Sequence, residues 1–102
     1  MEREEAIEFL EHLQQGEFLT VVFPIIADKK IRITSMYVGK DEERYRLIDK
    51  SGDSIVSKKF IENGEISIEK EYDKDVADDI YTEVKRKQER MNKNKKHNRE
   101  LR

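Results

Sequence analysis

The residues best able to do chemistry in this chain are cations gathered at one end: Lys85, Arg86, Lys87, Arg90, Lys93, Lys95, Lys96, Arg99 and Arg102. Within residues 85–102 these nine meet only Glu89 and Glu100, whereas residues 1–84 hold twelve Lys/Arg against twenty-one Asp/Glu. A formal net charge of −2 therefore conceals an acidic body joined to a basic tail. A segment of one sign attracts phosphate oxygens or an acidic protein face whatever the charge elsewhere. The expected partner is thus a polyanion, meaning a nucleic-acid backbone, or an acidic protein surface. The tail has no aromatic residue on which bases could stack, so such binding would be insensitive to sequence and steeply dependent on salt. The competing use is a solvated helix end, where cations suit the dipole and Glu83–Lys87 and Glu89–Lys93 fall at helical pair spacing. The acidic body also allows a mimic of nucleic acid, although twelve interspersed cations make it read as an ordinary soluble surface.

Other constellations are weaker. Glu8 and His12 stand four apart, with Glu11 adjacent, but no second His lies near them in sequence to complete a metal site. Asp75, Asp78 and Asp79 read as a cap and early acids of a helix rather than cation ligands. Nucleophilic catalysis would rely on Ser or Thr with only His12 and His97 as bases, and each of the four glycines stands alone, so no phosphate loop is present. No pair of carboxylates has an apolar setting that would separate their pKa values. The expectation is a non-enzymatic protein with no metal, cofactor or small-molecule substrate.

These residues must be positioned by a small fold. The chain has 102 residues and supports one domain, an acidic α+β unit over 1–84 followed by the basic tail over 85–102, partly helical or disordered. So small a domain has no room for a large internal cavity, which puts any site on the surface. The 43% of charged residues would suggest disorder if the apolar ones were scattered, but they cluster with regular periods, so the body should fold. The absence of cysteine rules out disulfides and thiolate chemistry and fits a reducing compartment. No apolar run reaches membrane-spanning length, and the acidic Glu2, Glu4 and Glu5 have the wrong sign for a secretory leader, which points to the cytoplasm and away from membranes.

Ala6, Phe9, Leu10 and Leu13 recur at helical spacing over residues 2–15, with Gly16 as the expected stop. From Phe18 the period becomes two, and residues 18–26, 31–38, 44–49, 54–61 and 65–69 read as five strands. Asn63-Gly64 fits a two-residue hairpin turn between the last two. Short connections imply an antiparallel meander. Asp73 or Asp75 can cap a final helix whose stripe is Val76, Ala77, Ile80, Val84 and Met91, with fraying expected over the last ten residues. The predicted architecture is α-β-β-β-β-β-α, a curved sheet with both helices on one face. The strands also carry apolar residues on the opposite parity. Val22, Met36, Val38 and Val56 are therefore expected to form a second apolar face, covered by sheet curl or by a partner, such as a second copy of the chain in a homodimer. Pro24 places its strand segment at an edge, an end or a bulge.

Overall fold

A computed structural model describes the backbone of residues 2–26 and 29–100 and the side chains of residues 2–23 and 29–90. The elements run α1 (Arg3–His12), β1 (Phe18–Ile26), β2 (Lys29–Asp41), β3 (Arg44–Asp49), β4 (Gly52–Ser57), α2 (Lys58–Glu62), β5 (Ser67–Glu69) and α3 (Lys74–Glu100). The five strands form one open antiparallel sheet in the order β4-β3-β2-β1-β5. Strands β1 to β4 follow one another as a meander. The last strand returns to the opposite edge, where Val21 pairs with Ile68.

Strand parity divides the apolar residues between two faces. One face presents Leu19, Val21, Tyr37, Tyr45, Leu47, Val56 and Ile68, which pack with Ala6 and Leu10 of α1 and Ile61 of α2 into one buried cluster. The other face presents Thr20, Val22, Thr34 and Met36, all buried although none belongs to that cluster. Helix α3 covers it, burying Ala77 and Ile80 and packing mainly against β2. Two backbone tethers fix its approach: Thr20 Oγ1 donates to the Glu71 carbonyl at 2.6 Å, and the Asp73 N–H donates to Thr34 Oγ1 at 3.1 Å.

The expectation that both terminal helices share one face is therefore corrected. The apolar second face is real in the sequence, but the chain covers it itself. Val22 and Met36 are 5% and 6% exposed beneath α3, and Val56 points to the opposite face, 2% exposed within the α1 cluster. Val38, half-buried, and the edge of Met36 border a groove beside α3. Val56 therefore does not share a face with Val22, Met36 and Val38.

The expected strand over 54–61 is also corrected, because it stops at Ser57 and the chain winds into α2. Asn63-Gly64 then closes a helix rather than a hairpin. Asn63 stays right-handed at φ −77, Gly64 alone turns to φ 78, and the N–H groups of Glu65 and Ile66 return to the Phe60 carbonyl at 2.9 and 3.2 Å. A Cβ there would stand 2.7 Å from Arg3 Nη2, a contact that the end of this flexible side chain can relieve, so the positive φ is what calls for glycine.

Helix α1 ends before Gly16, with Leu13 already extended. The following segment meets β2 through Gly16 N–H to the Tyr37 carbonyl at 2.9 Å and Tyr37 N–H to the Glu17 carbonyl at 2.8 Å. In β1 the register with β2 breaks between Phe23 and Ile26, around Pro24, and β5 pairs only with Thr20 to Val22. The residue without a donor thus lies outside the regular ladder on both sides.

Candidate functional site

The cationic segment is the distal part of α3, and its position follows from how the helix begins. Asp73 Oδ1 accepts from the N–H groups of Asp75 and Val76 at 3.0 and 3.2 Å, satisfying donors that the first turn leaves free. From there Ala77 and Ile80 bury against the sheet, and Val76 and Val84 are half-buried on the same stripe. Among the described side chains the stripe reaches Val84, Met91 lying outside them, and the helix continues to Glu100. At about 1.5 Å per residue, the stretch from Gln88 to Glu100 adds about 18 Å of rod.

Lys85, Arg86, Lys87 and Arg90 are exposed. Arg86 pairs with Glu83 one turn back at 3.5 Å, with both side chains more than 60% exposed, and such a pair contributes little. No other ion pair involves these four among the described residues. The side chains of Lys93, Lys95, Lys96 and Arg99, and the whole of Arg102, lie outside the described residues. The helix itself extends through residues 93–100, where fraying was expected from the asparagines.

Two grooves flank the root of the rod. One, of about 750 Å³, lies between α3 and the β3–β4 hairpin, with Asp49, Lys50, Asp53, Asp79, Glu83, Arg86 and Lys87 in its walls. Lys50 spans it to Asp79 at 3.2 Å. Its lining mixes four carboxylates with three cations, so it has little net field to select a small anion or cation. The other, of about 420 Å³, is bordered by Met36, Val38, Ile48, Tyr81 and Val84. Sequence reading missed both, because they arise from the crossing of α3 over β2 and β3.

The candidate ligand groups are dispersed. Glu11 accepts from Lys40 Nζ at 2.8 and 3.0 Å and from the Tyr45 hydroxyl at 2.9 Å. These contacts bolt α1 to the sheet. They hold the Glu11 carboxyl below its ordinary range, first through Lys40 and then through Tyr45, and they raise the Lys40 ammonium in return. Burial, followed by the bond to Glu11, pushes the Tyr45 phenol well up and keeps it protonated. His12 Nδ1 lies 2.8 Å from the Glu8 carbonyl, one turn back in the same helix. Among the described residues no group of three metal-ligating side chains comes together. Asp73 caps α3 and Asp79 joins Lys50, which separates the acids near the start of that helix.

No protein-family model matches the chain, and no curated protein or solved structure shows significant similarity to it. Among the described residues no helix is long and apolar enough to cross a membrane.

Proposed function

We propose that this is a non-enzymatic binding protein that grips the phosphate backbone of a nucleic acid with the distal half of α3. The observation that carries the reading is the continuity of that helix: one rod is anchored by Ala77 and Ile80 and then runs past the sheet with Lys85, Arg86, Lys87 and Arg90 in solvent. The acidic composition of residues 1–84 supports it as well. Phosphates are repelled by the body and drawn to the rod, whose far end lies farther from the body than the Debye length of about 8 Å at physiological salt. Cations distributed around the helix suit a phosphate lattice better than one fixed base sequence.

The test is fluorescence anisotropy of labelled duplex DNA and RNA with the full chain across a salt series. If five to seven phosphates are met, the log–log slope of affinity against salt is about −4 to −6, with little preference among sequences. Replacing Lys85, Arg86, Lys87 and Arg90 with Gln flattens the slope by about 3 to 4, because each phosphate contact contributes about 0.9. No binding at low salt, or an unchanged slope in that variant, sinks the reading. Tighter binding to poly-glutamate than to either nucleic acid assigns the rod to an acidic protein partner instead.

A further inference from the structure

The two edges of the sheet are treated differently by the chain. At one edge β5 is three residues long, and the part of β1 beyond it contains Pro24 and a register break. Short strands, proline and irregular register are devices that keep an edge from pairing with another chain. The other edge is β4, a strand of six residues, Gly-Asp-Ser-Ile-Val-Ser, with regular register along its whole length and no proline. It has β3 on one side and α2 at its C-terminal end.

The hydrogen-bond phase of β4 shows what its outer side offers. The β3–β4 connection is a two-residue turn closed by Asp49 and Gly52, and farther along the Lys58 N–H reaches the Glu43 carbonyl at 2.9 Å. In an antiparallel ladder these bonded pairs alternate, so Gly52, Ser54, Val56 and Lys58 turn their backbone groups toward β3. Asp53, Ile55 and Ser57 turn theirs outward. Their side chains share the α3 side of the sheet, and Ile55 is 57% exposed, tied with Tyr81 as the most exposed large hydrophobic residue among the described residues.

We propose that β4 pairs antiparallel with β4 of a second copy of this chain about a two-fold axis at Ile55, joining two five-stranded sheets into one. Such an axis is perpendicular to the sheet, so it keeps like faces together and requires residues of equal parity to oppose each other. The outward set meets this requirement. Ile55 exchanges both backbone bonds with its counterpart, and the Ser57 N–H of each copy reaches the Asp53 carbonyl of the other. The Ser57 carbonyl, at the N-cap of α2, remains for the helix. The two Ile55 side chains meet across the axis and leave water. Charge also favours a second copy over an unrelated strand, because Asp53 of each copy opposes Ser57 of the other and so lies next in sequence to its Lys58-Lys59, of which Lys58 already meets Glu43 at 3.8 Å within its own copy. This pairing is independent of polyanion binding, but it sets both α3 helices on the same side of the joined sheet.

Sedimentation equilibrium of the full chain up to high micromolar concentration tests the pairing. The expected result is a reversible dimer, and Ile55→Lys, which places like charges across the axis at an exposed position, weakens it about tenfold or more while circular dichroism is retained. Because the chain has no cysteine, Ile55→Cys supplies a second readout that does not depend on the lysine variant folding. Opposed Cα atoms about 5.5 Å apart lie within disulfide reach, so this variant crosslinks under mild oxidation and Lys30→Cys does not. A monomer throughout, a dimer unaffected by Ile55→Lys, or equal crosslinking at Lys30 overturns the proposal.

Discussion

The two faces of the sheet are closed by different means. On the α1 face, Leu19, Leu47, Tyr45 and Val56 interlock with Leu10 and Ile61. The polar contacts there sit at the rim, where Glu11 joins Lys40 and Tyr45. On the α3 face, a narrower apolar stripe of Ala77 and Ile80 is buried over the side of the sheet that holds Val22 and Met36, with Thr20 and Thr34 supplying tethers and grooves left on either side. The first arrangement holds the domain together. The second fastens a rod at its root, beyond which residues 85–90 are exposed. A small protein can thus bury both faces of a sheet and still present a long charged element.

The strongest way to break this contrast is truncation on the α1 face. Leu47→Ala, at a site with almost no solvent access, is expected to cost about 3–5 kcal/mol and to lower the urea midpoint with an unchanged m-value. Ile80→Ala should cost less, about 2–3 kcal/mol, because grooves beside α3 let the helix settle into the space. Hydrogen exchange separates the two variants: Ile80→Ala should release the α3 amides before those of β2 and β3, and Leu47→Ala should release all of them together. If Ile80→Ala deprotects both faces equally, α3 belongs to the same cooperative unit and the contrast fails. Asp73→Ala removes the cap of α3 and should cost about 1 kcal/mol, again read first in the α3 amides.

The smallest effect sharpens the comparison through pH. Because the Glu11 carboxyl is held low by Lys40 and Tyr45, its contribution is present above its unfolded pKa and is lost as pH falls through the folded value. Acid titration of stability should therefore be shallower in Glu11→Gln than in the wild type below about pH 4.5. Lys40 and Tyr45 act in the opposite direction: their raised values support the fold at neutral pH and are lost in alkali. No matching step is expected from the α3 tethers, which are hydroxyl and backbone groups.

Much of this architecture is legible along the chain. The period-two patterns that delimit β1 and β3 are local, as is the carboxylate of Asp73 three residues ahead of Val76, and each appears where it was expected. Residues 58–61 misled because Lys-Lys-Phe-Ile satisfies a short strand and a short helix alike, and Asn-Gly suits any turn that needs positive φ at glycine. The right-handed Asn63 distinguishes the helix end from the hairpin, and the helix it closes places Ile61 in the α1 cluster. The segregated cations of the candidate site are visible in composition alone, whereas the grooves beside them join residues from turns and strands far apart in the chain.

By itself, the order of residues determined the types of the longer elements, the apolar character of both sheet faces and the separation of acidic body from basic tail, since periodicity and charge are properties of neighbours. Only tertiary structure decided that α3 crosses to the face opposite α1, that β5 returns to β1, and that β4 is left as an open edge. Those outcomes depend on which surfaces exclude water together and which backbone groups find partners, and no local pattern records either.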